Sequence, residues 1–309
     1  MRNAFADEIT KLGKEDKRVV LLSGDIGNKL FDKFKAQAEG RFFNCGVAEA
    51  NMMSVASGMA LSGLRPVIYT ITPFTTTRCL EQIRVDACYH NAPVTIVGTG
   101  AGLSYAELGP THHSLEDLAI LRTLPGMTVF APCDEVELRL GLRAALAQNG
   151  PVYMRIGKKG EPILHKTPPE FKFGKSITLR QGSDVCLIGT GNIVAVTLAA
   201  ADILAREGVS ARVESFHTIK PLDTARLAEV FAAFPVVAVA EEHSKLAGLG
   251  GSIAEWRATQ ENTRARMIAF GAEDVFMHEV GSQEFARAKF GLTAENIAAK
   301  TLETLRRAH

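Results

Sequence analysis

Nowhere in the 309 residues does an apolar run approach the roughly 18 residues that a bilayer-spanning helix needs. The first eight residues end on Asp7 and Glu8, where a signal peptide would need an apolar stretch. The expectation is a cytoplasmic protein without membrane contact. Charge of one sign is lacking too: 35 Lys and Arg against 34 Asp and Glu leave a formal net charge of +1. That balance disfavours a basic surface for nucleic acid and an acidic tail alike. Cysteine is sparse. Cys45, Cys79, Cys88, Cys133 and Cys186 form no Cys-x-x-Cys pair, and no His stands at zinc-like spacing from two of them, so reduced thiols and no metal ligands are expected. Phosphate-cradling motifs are missing as well. Gly98-Thr99-Gly100-Ala101-Gly102 opens no helical pattern, Gly189-Thr190-Gly191 lacks a third spaced glycine, and no Gly-x-x-x-x-Gly-Lys-Ser/Thr exists. These glycines read as strand-to-helix turns.

What is present is alternation. β-branched runs at Arg18–Ser23, Pro66–Thr70, Val94–Gly98, Met127–Phe130 and Pro151–Arg155 read as strands. Helical stretches fall at Ala48–Leu61, Arg78–His90, Ser114–Leu121 and Asp134–Ala147, with the Ser114 hydroxyl as a helix start. Buried strands alternating with helices predict βαβ units and mainly parallel sheets. Periodicity fails from Gly157 to Lys175, and a second α/β pattern follows. It has strands at Asp184–Gly189, Ser210–Ser215 and Pro235–Glu241, an Ala-rich helix to about Glu207, a helix from Asp223, and an amphipathic helix at Thr293–Ala308. The fold class expected is therefore two three-layer α/β domains, residues 1–160 and 178–309, joined by a linker at 161–177.

Two segments carry candidate chemistry. Asn44-Cys45-Gly46-Val47-Ala48-Glu49-Ala50-Asn51-Met52 places an acid at the entry of a small, apolar helix. Glu49 there either simply complements the helix dipole or, if buried, requires a partner. Ala106-Glu107-Leu108-Gly109-Pro110-Thr111-His112-His113-Ser114 is a loop with two histidines, a residue type suited to proton transfer near neutrality. Adjacent histidines point in different directions, so at most one would meet a reacting group. A plain exposed loop serves equally well for these residues taken alone.

Order and spacing add to this. Arg41–Met52 resembles the Gly-Ile-Ala/Arg-Glu-x-x-Met signature of transketolases, and Gly109-Pro110-Thr111-His112 resembles their Gly-Pro/Ala-Thr-His loop. Glu81–Arg84, Leu121–Val129 and Ile219–Asp223 are similar to that family as well. The resemblance covers nearly the whole chain and is to the C-terminal half of transketolase, its pyrimidine-binding and C-terminal domains, which some prokaryotes encode as a separate subunit. It implies thiamine diphosphate as cofactor, reacting at its thiazolium carbon with help from its own aminopyrimidine. Glu49 matches the glutamate that hydrogen-bonds the pyrimidine, and in an apolar pocket its carboxyl would hold its proton more tightly. Phe74 matches an aromatic of the pyrimidine floor, although two flanking aromatic positions are here Ile71 and Thr77. His112 matches the histidine near the reacting carbon. Arg155 and Arg2 match arginines that bind the sugar phosphate.

The departures carry implications of their own. Gly100 stands where a phosphate-contacting His is usual, and Leu108 replaces an Asp, while Glu107 is kept. An unusual sugar, less phosphorylated or differently substituted, is the expected consequence. The Gly-Asp-Gly…Asn segment that would hold the diphosphate and Mg2+ is missing; Gly24-Asp25-Ile26-Gly27 lies in the wrong region and is assigned to the substrate or dimer side. The resemblance thus implies a partner, an N-terminal transketolase-like subunit carrying the diphosphate domain and the metal, in an assembly with two of each subunit. Three alternatives stay open: the beta subunit of a 2-oxoacid dehydrogenase, a deoxyxylulose-phosphate-synthase-like enzyme, and a non-catalytic regulatory subunit.

Overall fold

The computed structural model describes residues 1–261 and 265–307. Its first unit contains α1 (Arg2–Glu15), β1 (Val19–Ser23), α2 (Asp32–Gln37), β2 (Phe42–Asn44), α3 (Glu49–Leu61), β3 (Arg65–Ile71), α4 (Thr72–Thr75) and α5 (Leu80–Gln82). It continues through β4 (Thr95–Thr99), α6 (Asp117–Arg122), β5 (Thr128–Phe130), α7 (Glu135–Ala147) and β6 (Val152–Ile156). The second has β7 (Ile177–Arg180), β8 (Val185–Thr190), α8 (Val194–Arg206), β9 (Ala211–Ser215), β10 (Thr218–Lys220), α9 (Thr224–Ala233), β11 (Val236–Ser244), α10 (Leu249–Ala258), β12 (Arg266–Ala272), α11 (Gln283–Lys289) and α12 (Ala294–Arg306).

The strands form two sheets, ordered β10-β5-β6-β4-β3-β1-β2 and β12-β11-β8-β9-β7. All pairings are parallel except those of β10 with β5 and β7 with β9. Helices lie on the sheet faces, and β1, β4, β6 and β8 are buried along their whole length, as expected for the β-branched runs of a doubly covered parallel sheet. The two α/β units expected from the alternation are therefore present.

Several elements differ from the sequence reading. β10 belongs to the second half of the chain yet adds to the edge of the first sheet, and one apolar core runs from Val20 and Ile96 to Ile188, Ile219 and Val237. The stretch expected as one helix, Arg78–His90, is broken into a 3₁₀ turn (Thr77–Cys79), α5 and a π-helical segment (Ile83–Tyr89). Ser114 does not cap a helix. Its hydroxyl accepts a hydrogen bond from the Gly102 amide at 2.8 Å, and α6 starts only at Asp117. The last expected helix ends at Arg306, and Ala308 lies outside the described residues.

At the boundary, Asp134 caps α7 by accepting from the Val136 and Glu137 amides, while its other oxygen takes the Leu164 and His165 amides of the connecting segment. Glu137 accepts from the Cys133 amide, the Ser215 hydroxyl and His165 Nε2, knotting α7, the connector and β9 together. Burial pulls the His165 pKa down, but the hydrogen bond and charge of Glu137 outweigh it and the net shift is upward.

Candidate active site

In parallel α/β sheets ligands bind beyond the carboxyl ends of the strands. Four neighbouring strands of the first sheet direct their exits there. β1 leads into Gly24–Lys29, β3 into α4 and Phe74, β4 into the loop with Tyr105 and His112, and β6 into Lys158.

Glu49 is the first residue of α3 and is buried. Its surroundings are not purely apolar, which corrects the expectation for its pocket: Arg78 Nη1 donates to Glu49 Oε1 at 2.7 Å. The same guanidinium lies 3.9 Å above the centre of the half-buried Phe74 ring. Phe74 in turn meets the His112 ring edge-on, with centroids 5.4 Å apart. His112 is half-buried, and its Nδ1 pairs with the Thr111 hydroxyl at 2.9 Å. His113 turns into the protein instead, and burial holds its pKa below the usual imidazole value. Glu49 and Phe74 are bridged by Arg78, and with His112 they form one contiguous strip.

The strip continues past His112 to Tyr105, at 6.2 Å between centroids, and Lys158 Nζ sits 4.4 Å from the centre of the Tyr105 ring while pairing with Glu107. A cavity of about 280 Å³ beside Tyr105 is lined by Arg2, Ile26, Gly27, Asn28, Lys29 and Ile71. Arg2 Nε is buried there without a hydrogen-bond partner. Ile71 belongs to this cavity, whereas Thr77 is exposed and its hydroxyl is turned onto Pro73 O. Gly100 has φ +82°, and a Cβ on it would lie 2.0 Å from the Tyr105 ring. The side chain missing at Gly100 is thus replaced by the Tyr105 ring.

Arg155 lies apart from the strip. It is buried, and its Nε is held by Asp117 Oδ2 at 2.8 Å. Its Nη2 is held by Ser114 O at 2.6 Å and Glu242 O at 2.9 Å. Nε and Nη2 are thus spent inside the protein and the side chain is 1% exposed, so the expected ligand role of Arg155 is withdrawn on geometry. Lys158, three residues on, is the cation from this strand's exit that lies against the Tyr105 ring. Arg78, Tyr105 and Lys158 were not found from the sequence; only the empty Gly100 position hinted at one of them. Cys45 is half-buried, and burial raises its thiol pKa, so it is no activated nucleophile.

For a bound group, the strip offers a buried carboxylate beside an aromatic face. A flat, nitrogen-rich cation already makes both contacts in this structure, so the residues fit an aminopyrimidine. They do not supply a diphosphate–metal cradle. Among the described residues the only cluster with metal-ligand chemistry is Cys133, Glu137 and His165, which shares no residue with the strip and is already closed by hydrogen bonds.

Residues 1–161 match the transketolase pyrimidine-binding domain and residues 174–297 the transketolase C-terminal domain. The chain belongs to the transketolase family. It is 35% identical over 308 residues to a 6-deoxy-6-sulfo-D-fructose transketolase subunit of Clostridium sp. (strain MSTE9), covering 99% of this chain and 95% of that protein. It is 32% identical to one of the subunits of the apulose-4-phosphate transketolase of Phocaeicola vulgatus, covering 99% and 97%. Among solved structures it resembles a split-gene transketolase described as an inactive beta4 tetramer, at 34% identity and a TM-score of 0.90, covering 100% of this chain and 99% of that one. A 1-deoxy-D-xylulose-5-phosphate synthase of Geobacter sulfurreducens is 34% identical over 96% of this chain but only 47% of its own length. This transketolase-family chain thus matches split subunits end to end and a fused family member over about half.

Proposed function

We propose that the chain is one subunit of a two-subunit, thiamine-diphosphate-dependent transketolase that moves a two-carbon ketol unit from a ketose or ketose phosphate to an aldose. The single observation that carries this is the contiguous strip Glu49–Phe74–His112 at the carboxyl ends of the first sheet. Bound there, thiamine diphosphate would supply a thiazolium carbon able to accept and stabilise the ketol unit. Phe74 would stack under the pyrimidine, and Glu49 would hold a proton at the pyrimidine ring nitrogen. His112, braced by Thr111 and Phe74, hydrogen-bonds substrate oxygens near the reacting carbon. Arg2 and Lys158 flank the Tyr105 wall and bind the far, anionic end of the substrate.

The rest of the assembly follows from what this chain lacks. Mg2+ and the diphosphate are assigned to a partner subunit, in a complex with two copies of each chain, working in the cytoplasm. The strand, loop and helix around Glu49 expose the apolar side chains Phe43, Val47, Val55 and Leu61, which such a partner could cover. The units within the chain are residues 1–160 and 178–309 about a connector at 161–177. The relatives that handle a sulfo-sugar and apulose phosphate, with Tyr105 filling the Gly100 position, support a non-standard sugar.

The test is ketol transfer by the complex reconstituted with its diphosphate-domain partner. Glu49→Gln should abolish transfer with assembly intact; retained activity would sink the catalytic reading and favour a regulatory subunit. Ready turnover of xylulose 5-phosphate with ribose 5-phosphate would remove the non-standard sugar, and consumption of pyruvate would favour the deoxyxylulose-phosphate-synthase reading.

A further inference from the structure

The guanidinium of Arg78 makes the two contacts that the proposed pyrimidine subsite exists to make. It is planar and nitrogen-rich, it donates to the Glu49 carboxylate at 2.7 Å, and it stacks 3.9 Å above the Phe74 ring centre. We infer that Arg78 occupies the pyrimidine subsite in the free chain and that the cofactor binds by displacing it. This rests on the reading of Glu49 and Phe74 given above.

The asymmetry of the pair decides which group moves. The Glu49 side chain is 3% exposed and is packed at the start of α3, so it cannot follow its partner into water. The Arg78 side chain is 44% exposed and stands on the short 3₁₀ turn Thr77–Cys79, so it can leave without crossing the core. The floor stays: the buried Cys79 thiol donates to Phe74 O at 3.0 Å, tying the ring's backbone down beside the moving residue. Before loading, Arg78 supplies the counter-charge that a buried carboxylate requires. Its presence also closes the subsite, so apparent cofactor affinity is reduced by the fraction of molecules in which Arg78 is in place.

The measurement is thiamine diphosphate binding to the reconstituted complex, followed by calorimetry and by stopped-flow intrinsic fluorescence with Mg2+ in excess. Arg78→Met should bind several-fold more tightly and with a faster on-rate. Arg78→Gln, which keeps a hydrogen bond to Glu49, should do so to a smaller extent and guards against misfolding of the first variant. In the free chain Arg78→Met should lower the melting temperature, and adding Glu49→Gln should restore most of it, because the buried carboxylate is then no longer unpaired. Weaker or unchanged cofactor binding in both Arg78 variants, with Glu49→Gln still weakening it, overturns this inference and leaves the proposed function standing. A wild-type complex that binds no thiamine diphosphate removes both together.

Discussion

Replacing Arg155 separates a ligand from a structural tie. Its side chain and that of Asp117 are each 1% exposed, so the pair has no solvent to fall back on. Arg155→Met leaves Asp117 with the Tyr153 hydroxyl as its one remaining donor, Oδ1 being already unpartnered, and strips a donor from Ser114 O and Glu242 O. Removing one partner of a buried pair costs about 3–5 kcal/mol. Against a total stability of about 5–15 kcal/mol this is a large fraction, equivalent to a fall of roughly 5–8 °C in melting temperature for a chain of this size. Substituting Asp117→Leu as well should recover much of the loss, because an apolar pair leaves no buried charge. Arg155→Lys keeps the charge but not the fork that holds Ser114 O, two residues from His112. It should lower kcat while leaving the ratio of KM values for phosphorylated and unphosphorylated sugars unchanged. The measurements are thermal melting of the free chain and steady-state kinetics of the complex. Unaltered stability, with KM rising about tenfold for phosphorylated sugars alone (about 1.4 kcal/mol), would refute the reasoning and return Arg155 to the substrate.

Three further outcomes are expected. Lys158→Ala and Arg2→Ala should each raise KM for an anionic sugar by about tenfold, as the loss of one charge-assisted contact implies, and leave KM for a neutral analogue alone; equal effects on both would remove the anion role. Gly100→Ala should destabilise the chain by more than about 1–2 kcal/mol, since left-handed strain of that size adds to the clash with Tyr105; in a Tyr105→Ala background the clash part should vanish, and an undiminished penalty in denaturant titration would contradict it. The raised pKa of His165 means the folded state binds its proton more tightly than the unfolded chain, so its contribution is complete below about pH 6.5 and is lost as pH rises through the higher folded value. His165→Gln should flatten that decline in urea midpoints between pH 6 and 8, and an unchanged decline would exclude it.

The parallel strands were legible because burial on both faces leaves runs such as Val19-Val20-Leu21-Leu22, which admit few other readings. β10 was not, because a three-residue strand that crosses to the other unit's sheet leaves no periodic trace. Ser114 had the chemistry of a helix cap, but the Gly102 amide claimed its hydroxyl and the helix began later. Glu49 stood out as an acid among small apolar residues, whereas its partner Arg78 sat in a stretch where a solvated helical arginine is the ordinary expectation. Lys158 was hidden for a similar reason, inside a Lys-Lys pair at the edge of aperiodic sequence.

Hidden Arg78 and Lys158 share with Arg2, which the sequence did offer, a property that bears on how the site works. Arg78, Lys158 and Arg2 are cations whose present partners are Glu49 and Phe74, Glu107 and Tyr105, and a cavity with an unpartnered guanidinium nitrogen. Glu49, by contrast, is fixed at a helix start, and Phe74 is tied through Cys79. The crevice thus combines a rigid acidic and aromatic floor with long basic side chains able to exchange protein partners for ligand ones. On the proposed function, a negatively charged substrate would compete with Glu107 for Lys158. On the same proposal a cofactor ring would compete with Arg78 for Glu49. The exchange at Lys158 would keep one ion pair, whereas at Glu49 the ring would have to share a proton with the buried carboxylate, since a neutral ring does not replace the charge of Arg78.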